Sequence, residues 1–407
     1  MLFTSINFFF FFTVLFLIYW LILKNRHVLQ NLLLLSGSYL FYGLWNWKLL
    51  LLLFAISLVN YHAGRILSNY DRKNKRRLIL IAGLILNLGS LSYFKYCNFF
   101  IEGFAAVSRL IGLNPQFSTL KILIPVGISF YVFLGISYIV DVYRRHIVAE
   151  HNLGNVLLTF SFFTIVMSGP IQRPAGILPQ IRTPRIFNAQ LASEGTMQFI
   201  WGLFMKMVVA NNCAVYVNNV FNSQVPVTGL SVLAGAIFFT IQIYADFSGY
   251  SDMAIGIGKI LGFKIMRNFA YPYFARNIAE YWKRWNISLT TWFRDYVFLP
   301  FAWYISKHLK KDSYFFIKTD LIIYIAGILI TWALTGLWHG SNYTFIIWGL
   351  LHGTYLIIHH YFTETKEKNQ EPAEFRIVQQ TAAVPYLYCH DGSSYYRLDI
   401  FPCRICH

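Results

Sequence analysis

Two histidines of this chain stand in strongly apolar sequence thirteen positions apart, His339 in Leu334–Gly340 (LTGLWHG) and His352 in Trp348-Gly-Leu-Leu-His352-Gly353. An imidazole with a pKa near 6.5 takes and returns a proton at neutral pH, as general-base activation of a hydroxyl requires. Trp338 and Gly340 flank His339, so a bulky wall and open backbone space adjoin its ring. Burial is expected to hold that ring neutral, the form a base needs. His352 reads equally well as a satisfied interior residue.

A second group lies in Glu280–Asp295, EYWKRWNISLTTWFRD, where Lys283, Arg284, Arg294 and Asp295 are interleaved with Trp282, Trp285 and Trp292. An interfacial helix with its aromatics at headgroup level has this composition. The density of ionisable groups argues instead for a functional pathway, because such groups are costly at membrane depth. A third group is Tyr244-Ala-Asp246-Phe-Ser-Gly-Tyr250-Ser-Asp252. Its carboxylates can serve a metal or a proton, or act as structural ion-pair partners. The structural role is preferred, with Arg284 and Arg294 as the partners. The closing Cys403-Arg-Ile-Cys406-His407 matches a haem-attachment spacing. It occupies the last residues of an unpatterned segment, so neither haem nor zinc is expected there. No bound cofactor and no metal site are expected anywhere.

These groups need a scaffold, and bulk composition says which. Of 407 residues, 57% are hydrophobic and 13% charged, against about 25% charged in soluble domains. The mean hydropathy is +0.49. A soluble interior grows too slowly with chain length to hide that much apolar surface, whereas a bilayer can. The formal charge of +17 is gathered in short clusters between apolar spans: Lys24/Arg26, Arg65, Arg72–Arg77, Arg144/Arg145 and Arg182/Arg185. That is the pattern of cytoplasmic loops and headgroup anchors rather than of a nucleic-acid face. Membrane lipid is therefore an expected partner and nucleic acid is not. Met1–Asn7 carries no basic residue, so no cleavable signal is expected. The basic residues after the first span place the N-terminus outside. Cys97 and Cys213 read as inert apolar fillers.

Hydropathy places spans near Ile6–Leu23, Leu29–Tyr42, Leu49–Leu67, Leu78–Phe94, Phe99–Leu113, Ile122–Val142, Val156–Met167, Thr196–Val217, Leu230–Ala245, Asp320–Leu337 and Tyr343–His360. The expected fold is an all-α polytopic membrane protein of about ten to twelve transmembrane or re-entrant helices. From Asp246 to Tyr304 the text turns mixed, and short interfacial or re-entrant helices are expected there. Residues 1–362 form the membrane domain, and 363–407 a polar, disordered or aberrant tail.

At these residues the sequence resembles the membrane-bound O-acyltransferase family, in its bacterial alginate O-acetylase-like branch. Pro125–Arg144 (PVGISFYVFLGISYIVDVYR), Gly169–Gln180 (GPIQRPAGILPQ), Tyr244–Pro300 and Trp338–Gly340 carry the resemblance. It implies helices around a central funnel or tunnel, in the bacterial inner membrane. It also implies an acyl donor from the cytoplasm, most simply acetyl-CoA, and an extracytoplasmic polysaccharide acceptor. A secreted or periplasmic acetyltransferase partner would complete the transfer. Carried over by motif, His339 is the catalytic histidine. Asn286 takes the second signature position, where the nearest branch usually has histidine and the wider family often has asparagine. Arg294 and Asp295 match an arginine–aspartate pair, and Arg284 the arginine ahead of the signature position. Trp338, Asp246, Tyr244 and His352 are supporting or channel candidates. Relatives continue with further helices, which this chain is expected to lack. D-alanyl transfer to teichoic acid and a non-catalytic scaffold or transporter are the alternatives.

Overall fold

The computed structural model describes residues 2–113, 120–314 and 316–370. The chain divides into two compact units. One comprises Met1–Tyr273 with Trp282–Thr290, the other Phe274–Tyr281 with the chain from Thr291.

In the first unit, α1 (Ile6–Leu17), α2 (His27–Gly43), α3 (Trp47–Asn69), α4 (Lys73–Leu91), α5 (Cys97–Leu110) and α6 (Ile128–Tyr143) lead to the short α7 (Leu153–Ser161) and α8 (Pro174–Arg182). Then come α9 (Ala189–Phe204), α10 (Asn211–Phe221) and the long α11 (Gly229–Ile260). Two brief helices, α12 (Ile278–Arg284) and α13 (Ile287–Phe293), follow. α14 (Leu299–His308), α15 (Thr319–His339) and α16 (Tyr343–Gln370) belong to the second unit, with a two-residue hairpin of β1 (Ser313–Tyr314) and β2 (Ile317–Lys318). The chain is all-α in architecture. Among the described residues, five helical stretches are long and apolar enough to cross a bilayer: Trp47–Asn69, Lys73–Leu110, Ala189–Phe221, Gly229–Ile260 and Thr319–His339. A helix satisfies its own backbone, which hydrocarbon demands. Side-chain oxygens of Ser5, Asn46, Asn152, Asn188 and Thr228 accept from the first-turn N–H groups of α1, α3, α7, α9 and α11, covering donors that the helix itself cannot.

Several expected spans differ. Leu78–Phe94 and Phe99–Leu113 form one helical stretch, joined by a π turn at Ser92–Tyr96. The stretch near Val156–Met167 is a nine-residue helix followed by turns over 163–168. That is too short to cross, since hydrocarbon needs about 20 residues. α11 runs on through the acidic residues that suggested a break after Ala245. α16 continues into the expected tail as far as Gln370, and 371–407, including Cys403–His407, lie outside the described residues.

The reason α11 can continue lies on α9. Gly195 and Gly202 of α9 face Gly256 and Gly249 of α11, and a Cβ at Gly195 would stand 2.6 Å from the Gly256 carbonyl oxygen. The seven-residue spacing on both helices keeps the contact in phase along an antiparallel pair. Beside that seam Gln198 donates to Asp252 at 2.7 Å and Lys206 pairs with Asp246. Lys259 stands 3.8 Å from Glu194. The carboxylates are structural ion-pair and hydrogen-bond partners, as expected, but of a neighbouring helix rather than of Arg284 and Arg294.

α6 is buried along nearly its whole length. Over it, Asn60 of α3 and Asn87 of α4 exchange reciprocal amide bonds of 3.0 and 3.1 Å. Gly135 leaves the room for that pair.

Candidate active site

After α11, Gly262 turns the chain at φ +83° into an extended segment over 263–270. Irregular backbone inside an apolar body must find partners outside itself. Side-chain amides supply them. Gln180 of α8 donates to the Lys264 carbonyl at 3.0 Å and accepts from its N–H at 2.7 Å. Gln172 accepts from the Met266 N–H at 3.3 Å. Both glutamines belong to the Gly169–Gln180 stretch, whose role is thereby structural support of this segment.

Asn286 lies at the break between α12 and α13. Its φ is +42°, in the left-handed region that asparagine enters more readily than most residues. It is 2% exposed. Its carbonyl accepts from the N–H groups of Leu289 and Thr290, each at 3.0 Å, which starts α13. Its side-chain Oδ1 is enclosed and accepts no hydrogen bond from any described residue. A buried acceptor left open in this way costs about 1–3 kcal/mol, so it marks a place where a ligand group can repay the loss.

The turn around Asn286 is tied from the extended segment. The Asn268 carbonyl accepts from the Ile287 N–H at 2.9 Å, and the Arg284 carbonyl accepts from Ala270 at 2.9 Å. Asn268 Oδ1 accepts from the Ser288 N–H at 3.2 Å and from its hydroxyl at 2.9 Å. Arg284 itself is half-buried. Rings line the neighbourhood: Trp285 lies 5.1 Å from Phe269, 6.0 Å from Tyr273 and 6.2 Å from Tyr244. Tyr244 is thus an aromatic neighbour of the turn, while Asp246 is turned to Lys206. The Tyr273 hydroxyl donates to the Thr240 carbonyl at 2.6 Å. Burial, with Tyr244 beside it, pushes the Tyr273 phenol up to about 12.

The second unit carries the remaining candidates. Arg294 and Asp295 pair with each other at 2.8 Å and open a π turn, Arg294–Phe298. His339 is the last residue of α15. It is exposed, contrary to the expected burial, because Gly340 leaves the helix with extended backbone at once. Two indoles meet its ring edge-to-face, Trp338 and Trp348, both with centroids 4.9 Å away. Trp348 also meets His352 at 4.6 Å. His352 is half-buried and sits against Trp332 and Tyr355. Close α15–α16 packing sets these rings in place, because a Cβ at Gly336 or Gly349 would collide with the carbonyl oxygen of Phe345 or Trp332.

Asn268, Ser288, Ser251 and Trp348 were not singled out by the sequence as site residues.

No family model matches the sequence. The chain is 40% identical over 359 residues to the probable alginate O-acetylase AlgI of Azotobacter vinelandii, covering 88% of this chain and 68% of that protein. The chain belongs to the membrane-bound O-acyltransferase family, in its alginate O-acetylase-like branch. As a member it is an acyltransferase of multi-pass membrane type. A peptidoglycan O-acetyltransferase of Helicobacter pylori is 32% identical over 358 residues, 82% of this chain and 64% of that protein. A teichoic acid D-alanyltransferase of Bacillus subtilis is 29% identical over 248 residues, 60% of each. This acyltransferase chain spans about two thirds of the length of its alginate and peptidoglycan relatives.

Proposed function

We propose that this chain moves an acetyl group from a cytoplasmic thioester, most simply acetyl-CoA, to a hydroxyl of an extracytoplasmic polysaccharide such as alginate. The observation that carries this reading is the 40% identity to an alginate O-acetylase across most of the chain. His339 is the base. It takes the proton of the acceptor hydroxyl as that oxygen attacks the thioester carbonyl. The tetrahedral oxyanion then collapses, the C–S bond breaks, and the imidazolium returns the proton to the thiolate. The products are an ester and a free thiol. Asn286 orients or polarises the thioester, its amide able to present a donor or an acceptor by rotating. The immediate acceptor is the polymer or a hydroxyl on a secreted acetyltransferase that relays the group. The enzyme sits in the inner membrane with its N-terminus outside.

The test is polymer acetylation in a deletion strain carrying this chain, unaltered or as His339→Ala. Acetyl esters restored by the parent and absent with an equally abundant variant support the reading. Restoration by both makes the chain a scaffold and removes His339 from the chemistry. D-alanine esters in place of acetyl esters would replace the donor.

A further inference from the structure

The amide of Asn268 has no part in the chemistry above, yet it holds the Asn286 turn through Ser288. It is 1% exposed. Its Nδ2 donates to the Ser251 hydroxyl of α11 at 3.1 Å. Its Oδ1 accepts both Ser288 bonds, and its carbonyl accepts from Ile287. The Ser288 hydroxyl oxygen in turn accepts from the Ile171 N–H at 2.9 Å, which reaches the Gly169–Gln180 stretch. One buried amide therefore ties a long helix to Ser288, two residues after Asn286, while the main-chain carbonyl of the same residue holds Ile287. Both serines are 2% exposed or less. Backbone in the left-handed region with a side chain costs about 1–2 kcal/mol, and such a conformation persists only where its surroundings over-determine it. The bonds to Ser288 and Ile287 do so at Asn286.

We propose that Asn268 is a positioning residue: through Ser288 its side-chain amide fixes the strained turn that presents the Asn286 amide to the acyl donor. The inference rests on the reading that Asn286 meets the thioester, and it deepens that reading by assigning what aims the group. Loss of Asn268 leaves the chain folded around its helices while Asn286 wanders, and misplacement by about 1 Å costs on the order of a hundredfold in rate.

A double-mutant cycle tests this. Membranes containing the full chain and unacetylated polymer are assayed with labelled acetyl-CoA, giving kcat and KM per folded molecule for Asn286→Ala, Asn268→Ala and both together. The expected result is a loss of roughly ten- to a hundredfold in kcat for Asn268→Ala, with the double variant within about twofold of Asn286→Ala alone, because contacting residues that act as a unit are not additive. Asn87→Ala, which breaks the buried Asn60–Asn87 amide pair of this unit, should lower the melting temperature and leave kcat per folded molecule unchanged. Parental kcat in Asn268→Ala, or losses that multiply in the double variant, overturn the proposal. Parental kcat in Asn286→Ala overturns the reading beneath it as well, and is recognised by that single variant. If Asn268→Ala does not accumulate, Ser288→Ala and Ser251→Ala enter the same cycle. Ser288→Ala should then lose more kcat than Ser251→Ala, since only Ser288 adjoins the turn, and the reverse order sinks the idea.

Discussion

The surroundings of Asn286 and of His339 hold a reactive-type side chain in opposite ways. Asn286 is enclosed, on strained backbone, and fixed by hydrogen bonds drawn from residues far apart in the chain. His339 is exposed at a helix end and faced by indole edges, in a hairpin whose fit depends on glycines. Hydrogen bonds are directional and costly to leave unmade, so a polar mount specifies orientation sharply. Ring contacts are individually small, about 0.5–1.5 kcal/mol beyond burial, so they specify the orientation of the imidazole less sharply. An amide that must aim at a carbonyl gains from the first arrangement. A base that receives a proton and then delivers it gains from the second.

Substitutions separate the two mounts. The largest effect is expected at His339: replacement by Ala should lower acetyl transfer by about 10²–10⁴-fold, the range that general-base groups contribute, with membrane abundance unchanged because the side chain is exposed. A parental rate would refute its role. Asn286→Ala should lose about 10²–10³-fold in kcat, the range for a polarising donor, and some stability too. Asn286→Gly relieves the backbone strain, so it should recover the melting temperature without the rate. Recovery of both would show that only the backbone matters. Gly349→Leu forces apart α15 and α16 at the Trp332 carbonyl and should destabilise by about 1–3 kcal/mol, read as a lower melting temperature in detergent. An unchanged melting temperature would show that the hairpin does not need its close approach. The smallest effect belongs to His352→Phe. It retains a ring against Trp348 and, as a near-isosteric swap, should cost under about 1.5 kcal/mol with acetylation intact. A large rate loss there would put a second titrating group into the mechanism.

Much of this was legible in the amino-acid sequence, unevenly. Apolar runs announced the long helices, since the bilayer imposes length and hydropathy together. His339 and the Arg294–Asp295 pair stood out because ionisable groups are rare among tryptophans, whereas Asn286 was marked only by the family resemblance. What failed was anything that depended on a distant partner. Asp246 and Asp252 looked like the end of a helix because Lys206, in the π turn after α9, and Gln198 of α9 lie 40 and 54 residues earlier. Asn268 looked ordinary because Ser288 and Ser251 lie 20 and 17 residues away, and Ser288 meets Ile171 across 117. The exposure of His339 was hidden because hydropathy reports the helix and not the point where Gly340 ends it.

The π turns carry a consequence for how the chain can change in length. In a regular helix each residue advances the direction of its side chain by about 100°, so one deletion turns every later face away from its neighbour. A π turn holds one residue more per loop of hydrogen bonding than the α-helix around it. The turn at Met205–Ala210 therefore contains a spare position. A single-residue deletion at Met207 or Val208 can revert to regular winding and leave α10 in phase, whereas the same deletion near Gln198 would rotate the Gly202 seam away from Gly249. The gene can shorten by one codon at the first place and not at the second.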